Sequence, residues 1–286
     1  LDLLVETGFS CGIAHCNFQL RGEEAEQDEA FVSELAKKYK IPVYTRKFDT
    51  EGWASEHNIS IQMAARQLRF EWFEQIRREN GYSYVAIGHN KEDVLETFLI
   101  NLSRGTGLKG ITGIKPKTEN IVRPLLFASR GDIESYAWQH ALSFREDSSN
   151  QTTKYTRNRI RHNIIPEFLQ INPRFLDTMV ENIERFRSAW SVYDMKISEI
   201  KDNLLVRRGK EFHISIEDLQ EYPETHTVLY ELLRPMHFTQ EVVEDLFLSL
   251  EHESGRIFYS RSHKLVKDRK ALIVISLEGE STQKYY

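Results

Sequence analysis

"YSYVAIGHNKEDVLETFLINLSRG", residues 82 to 105, decides the fold. It opens on a short apolar run bounded by Gly81 and Gly88, which reads as a buried strand. "KEDVLETFLINLSRG" then reads as a helix. The same alternation precedes it. "SCGIAHC" is a strand candidate, and "EEAEQDEAFVSELAKKY" is an amphipathic helix with Ala30, Phe31, Leu35 and Ala36 inward. "IPVYTRKF" is the next strand, and "SIQMAARQLRFEWFEQIRREN" a long helix with an apolar stripe through Met63, Leu68, Trp72 and Ile76. Short strands alternating with helices predict an α/β unit, a mostly parallel sheet with helices on both faces. Ligands of such sheets bind beyond the carboxyl ends of the strands. His15, Asn17 and His89 fall near such ends. His89, Asp93 and Glu96 follow one another at spacings of four and three. By themselves they do not separate a metal or nucleotide site from a solvated helix face, where a histidine four residues before an acid is common.

Downstream of Arg123 the alternation loosens. "RPLLFASRGDIESYAWQHAL" predicts a proline-marked entry to a short helix, and "RNRIRHNIIPEFLQINPRF" a helix interrupted near Pro166. A long helix is expected from about Pro173 to Asp202, with Phe175, Met179, Ile183, Phe186 and Trp190 at helical spacing. From Asn203 a small α+β module follows, ending in "GRIFYSRSHKLVKDRKALIVISL", which alternates as a hairpin does. The expected organisation is a catalytic domain over 1–180, a linking helix over 181–202 and a small domain over 203–286.

The 286 residues are 40% apolar and 28% charged, the balance of a soluble globular protein, and no run reaches the ~20 apolar residues of a membrane span. Cys11 and Cys16 supply neither a disulfide framework nor a four-thiolate metal site. With no signal peptide visible, a reducing cytoplasm is the expected location. The net charge of −5 hides an asymmetry. "QTTKYTRNRIR", residues 151–161, carries four basic residues and no acid, and "GRIFYSRSHKLVKDRK", residues 255–270, six against one aspartate. Such patches are local footprints for a polyanion.

Four stretches combine in one order: "AHCNFQLRG" (14–22), "GHNKEDVLETFLINLSRGTGLKGITGI" (88–114), "RPLL" with "REDSSN" (123–126 and 145–150), and "YTRNRIRHNIIP" (155–166). Together they resemble the tRNA(Ile)-lysidine synthase family of the ATP-pyrophosphatase (PP-loop) group. The resemblance covers residues 1 to about 180 tightly and the small module more loosely. It implies a Rossmann-like ATP-pyrophosphatase fold and two reactions in one site. The C2 oxygen of the wobble cytidine in a CAU-anticodon isoleucine tRNA attacks the α-phosphate of ATP. Free L-lysine then displaces AMP. It also implies a phosphate loop of the form Ser-Gly-Gly-x-Asp-Ser, expected immediately ahead of "LDLL". Family members often pair, so a homodimer is among the expectations.

Residue by residue, the resemblance suggests the following. His15, Asn17, His89 and Arg104 are candidate ATP contacts. Asp93 and Glu96 are candidate Mg2+ ligands, since magnesium prefers hard carboxylate oxygens. Many members have a second aspartate where this chain has Glu92, and a histidine where it has Phe18. Asp147, with Glu146 beside it, is the candidate grip on the lysine ammonium, and Asn150 a candidate to fix that loop. Arg104, Arg157 and Arg161 are candidate catalytic groups for phosphate or the leaving AMP. Arg157, Arg161, Arg256, Arg261, Lys264 and Lys267 are candidate tRNA contacts. Tyr259 is a candidate base-stacking residue. Two rival readings remain at this point: another tRNA-modifying enzyme of the group, such as a cytidine thiolase, and a non-catalytic tRNA-binding protein.

Overall fold

The computed structural model describes residues 1–145, 156–252 and 254–277. The chain divides into two compact units, Leu1–Glu184 and Arg185–Tyr286, with the division inside one long helix.

The first unit is α/β. Helix α1 (Asp2–Glu6) stops where Gly8 turns left-handed, with φ of 78°. Strand β1 (Ile13–Asn17), helix α2 (Glu23–Tyr39) and strand β2 (Val43–Lys47) form a parallel crossover, with Ile13 opposite Val43 and Asn17 opposite Lys47. Helices α3 (Thr50–Glu56) and α4 (Ile61–Glu79) follow; the Ser60 hydroxyl caps α4 by accepting the Met63 N–H. Then come β3 (Val85–Ala86), α5 (Lys91–Ser103), α6 (Leu108–Ile111), β4 (Lys117–Thr118), β5 (Ile121–Val122) and α7 (Arg130–Gln139). Beyond residue 155 lie α8 (Thr156–Arg159), a π-helical turn (Ile160–Ile164), α9 (Ile165–Ile171) and α10 (Phe175–Leu204). The interruption expected near Pro166 takes the form of that π turn. Proline offers no N–H to the preceding turn, and a wider turn accommodates the break.

The expected sheet is shorter and more mixed than the alternation predicts. β3 pairs parallel with β5, and β4 pairs antiparallel with β5. Among the described residues this ladder and β1–β2 do not join. Of "YSYVAIG" only Val85 and Ala86 are strand. The facing edges line a cavity of about 280 Å³ with Leu4, Phe73, Ile76 and Tyr82. Helix α5 is the packing centre. Val94 and Phe98 meet Ile183 on one side, and Leu95 meets Ile160 and Ile165 on the other. The Asp2 carboxylate ties α1 to α2 and α7, accepting from Tyr39 at 2.6 Å and Tyr136 at 2.8 Å, and this bond pushes the Tyr39 phenol up to about 12.

The second unit is a small α+β body. Strands β6 (Val206–Arg208) and β7 (Glu211–Ser215) precede helices α11 (Ile216–Gln220), α12 (Thr225–Leu233) and α13 (Gln240–Ser249), with a 3-10 turn at Arg234–Met236. Strands β8 (Ile257–Tyr259), β9 (His263–Lys267) and β10 (Ala271–Ser276) close it. The expected hairpin is thus the larger part of a five-stranded antiparallel sheet, order β6-β7-β10-β9-β8. No helix among the described residues is long and apolar enough to cross a membrane.

Candidate active site

Helix α5 begins with a capping box. Asn90 Oδ1 accepts the Asp93 N–H at 3.1 Å, and Asp93 Oδ2 accepts the Asn90 N–H at 3.0 Å. Asp93 Oδ1 keeps no protein partner among the described residues. Both oxygens of Glu92 accept the Arg130 N–H at 3.0 Å, so Glu92 is spent on the start of α7. His89 is half-buried beside this turn, and Arg123 Nε donates to its Nδ1 at 3.2 Å. An acceptor at Nδ1 requires a neutral ring with its proton on Nε2. Burial depresses the His89 pKa in the same direction, against a smaller upward pull from Asp93.

Glu96, expected as a magnesium ligand, is engaged by arginines within the fold. It is fully buried, and Arg161 takes both its oxygens, Nε to Oε1 at 2.6 Å and Nη2 to Oε2 at 3.2 Å. Arg157 Nε stands 3.3 Å from Oε2, and its Nη2 donates to Thr97 at 2.9 Å. Burial pushes the Glu96 carboxyl up and Arg161 opposes it. Glu96 therefore holds α8 and the π turn onto α5. Arg161 is committed to that clamp, which leaves it poorly placed for tRNA phosphate. Arg157 is less committed, since its buried Nε has no hydrogen-bond partner. Asp147, Glu146 and Asn150 lie outside the described residues.

A cleft of about 1090 Å³ opens beyond the carboxyl end of β1. It is walled by β1, α4, the carboxyl half of α5 and the start of α8. His15, Arg104 and Arg157 of the expected residues face it. Burial lowers the His15 pKa, against opposing pulls from Glu29 and Asp28. Arg104, at the C-cap of α5, is exposed. Asn17 also lines the cleft, but its amide is consumed within the fold. Nδ2 donates to Glu26 at 3.1 Å and Glu29 at 3.0 Å, and Oδ1 accepts the Gln19 N–H at 3.1 Å. Asn17, expected as a nucleotide contact, thus fastens α2 to the end of β1. Phe18 stacks on Phe48, with ring centroids 5.8 Å apart.

Three further arginines line the same cleft: Arg21, which pairs with Asp28 at 2.9 Å, and Arg66 and Arg69. The spacing of three between Arg66 and Arg69 in "QMAARQLRF" is the sequence signal that puts them on one face of α4. Met63, expected in that stripe, is 58% exposed and lines the cleft, while Ala64 and Trp72 are buried. No aspartate or glutamate lines the cleft among the described residues.

In the second unit Arg256 and Arg261 are exposed and Lys264 half-buried. Lys267 corrects its reading as a tRNA contact. It shares the inward face of β9 with Leu265, is 2% exposed, and donates its ammonium to the His252 carbonyl.

Comparison with known proteins completes the picture. The PP-loop domain family matches residues 2–168, and the TilS substrate binding domain family matches residues 207–277. The tRNA(Ile)-lysidine synthase of Parabacteroides distasonis is 40% identical over 285 residues, covering 100% of this chain and 64% of its own. That of Bacteroides thetaiotaomicron is 39% identical over 287 residues, covering 100% and 66%. That of Porphyromonas gingivalis strain W83 is 38% identical over 278 residues, covering 97% and 60%. The chain thus spans between 60% and 66% of the length of these relatives. With residues 2–168 of 286 matched, the chain belongs to the PP-loop domain family, alongside the tRNA(Ile)-lysidine synthases.

Proposed function

We propose that the protein is an ATP-dependent carbon–nitrogen ligase that joins free lysine to the wobble cytidine of a CAU-anticodon isoleucine tRNA. The observation that carries the reading is the cleft at the end of β1, lined by arginines and, among the described residues, by no carboxylate. Such a cleft suits phosphorylated ligands. The 40% identity to a tRNA(Ile)-lysidine synthase supports the choice of reaction.

In the first step the cytidine C2 oxygen bonds to the α-phosphorus of ATP, the bond to the β-phosphate bridging oxygen breaks, and pyrophosphate leaves. His15 and Arg104 meet the nucleotide, and His89 offers its Nε2–H. Arg104 and Arg157 balance charge that grows on phosphate oxygens. In the second step the lysine ε-amine, having lost a proton, bonds to C2. The C2–O bond breaks and AMP leaves with that oxygen. Asp147 grips the lysine ammonium before it is deprotonated. Arg256, Arg261 and Lys264 meet tRNA phosphates.

Magnesium fits this donor set. It retains waters and takes one or two carboxylates plus substrate phosphate oxygens. Asp93, with Oδ1 open, would hold it, and the ion would supply neutralisation of the triphosphate.

The test offers the protein ATP, magnesium, labelled lysine and the tRNA. Label in the tRNA with stoichiometric AMP and pyrophosphate is the expected result. Pyrophosphate release that ignores tRNA sinks the reading, and so does tRNA binding without turnover.

A further inference from the structure

Helix α4 treats its arginines in two ways. Arg77 and Arg78, near its carboxyl end, are both neutralised by Glu74, at 2.7 Å and 2.6 Å. Arg66 and Arg69 meet no carboxylate among the described residues. The stretch "IQMAARQLRF", residues 61–70, contains no acid at all. Acids are favoured in the first turn of a helix because its N-terminus is positive, and α4 has none there. Arg66 and Arg69 stand in the second and third turns of α4, with no acid between them and the helix start.

These cations are aimed. Gln62, Arg66, Arg69 and Phe73 recur at steps of four, three and four, one face of the helix, and all four line the cleft. The Arg69 guanidinium lies over the Phe18 ring at 5.1 Å, and that of Arg66 over Phe70 at 4.7 Å. Each guanidinium is thus within cation–π range of an aromatic ring. Beside them Ile61 is 44% and Met63 58% exposed, apolar surface open to a base or ribose.

We propose that this face of α4 is the track for single-stranded RNA entering the cleft, with Arg66 and Arg69 holding backbone phosphodiesters on the strand that carries the target cytidine. The proposal rests on the reading under Proposed function and names the wall on which that substrate lies. Asp93, the proposed magnesium ligand, does not line this face of α4. A phosphodiester carries a single charge and needs only donors. Unstacked RNA bases also stack on guanidinium planes, which Arg69 offers above Phe18.

The experiment measures binding of an anticodon stem-loop RNA with a CAU anticodon, and separately of magnesium-ATP, to the whole chain and to the Arg66→Ala/Arg69→Ala variant. RNA affinity should fall about tenfold per arginine. The slope of log affinity against log salt should shrink by about 0.7 per arginine. ATP affinity should change less than about twofold. An Arg66→Lys/Arg69→Lys variant, which keeps charge without the planar fork, should retain most of the salt slope while losing part of the affinity. A variant that loses ATP and keeps RNA overturns the proposal, and so does one that keeps both. If the unaltered chain binds ATP but no RNA, the functional reading itself has failed, and that is seen before any variant is made.

Discussion

In the second unit all five strands, β6 to β10, share one ladder, and a single apolar cluster beneath them runs from Ile197 to Val274. In the first unit the strands fall into two short ladders among the described residues, and the buried apolar residues form small groups around α5. What secures the first unit near its cleft is polar: the capping box at Asn90, the Glu92 bond to α7, and the Glu96 clamp on α8 and the π turn. The contrast separates two uses of burial. An apolar core stabilises without regard to direction, whereas charged pairs aim their partners and leave donors where a ligand can reach them.

The contrast can be broken by removing one element from each unit. Glu96→Ala should cost about 3–5 kcal/mol, because two arginines lose a buried counter-charge. Hydrogen exchange should report the loss over residues 156–171, with strands β6–β10 unaffected. If protection falls evenly over both units, the clamp is not local. Leu265→Ala, at a fully buried position, should cost about 3 kcal/mol in denaturant unfolding. Its signature is the reverse, with β7–β10 exposed and ATP binding kept. Arg104→Ala should reduce kcat/KM for lysine incorporation about a hundredfold, close to 2.7 kcal/mol, with little change in melting. A loss confined to stability would remove Arg104 from the chemistry. Lys267→Met should shift stability by less than about 1 kcal/mol, since a buried ammonium gives way to an apolar chain of similar length. RNA affinity should not move; a clear drop would restore Lys267 to the binding surface.

The smallest effect concerns pH. The folded pKa of His89 lies below the usual imidazole value of about 6.5, so the neutral ring is what the fold stabilises. That contribution is fully present above about pH 6.5 and is lost as pH falls through the folded pKa. His15 is shifted in the same direction, also by burial. Melting curves of His89→Gln should therefore decline less steeply from neutral to acid pH than those of the parent, without becoming flat. Parallel curves would mean that the Arg123–His89 bond does not depend on the neutral ring.

The helices were legible in advance because their apolar period and caps are local. Ser60, Asn90 and Ser129 all cap as short polar residues before a helix do. Strand lengths were less legible, since a strand exists only by its neighbour, and β3 finds one over two residues alone. Among the site residues, His15, Arg104 and Arg157 reach one cleft, while Glu96 and Asn17 are drawn into the fold. Glu96 misled because its nearest acid, Asp93, is one turn away, while its true partner Arg161 comes from a distant segment. Lys267 misled for a different reason. The two-residue period of β9 already puts it with Leu265, but a run of basic residues invites a single surface. The fate of Asp147 lies outside the described residues.

Glu96 serves two arginines unequally. Arg161 is bound through both oxygens, while Arg157 approaches at 3.3 Å with its Nε unbonded. An anion arriving in the cleft can draw Arg157 aside and leave the carboxylate with one cation instead of two. Burial, already pushing that carboxyl upward, then meets less opposition. Filling the cleft thereby loosens the clamp at α8 before it loosens the π turn. Hydrogen exchange over residues 156–164, with and without added anion, would read that difference.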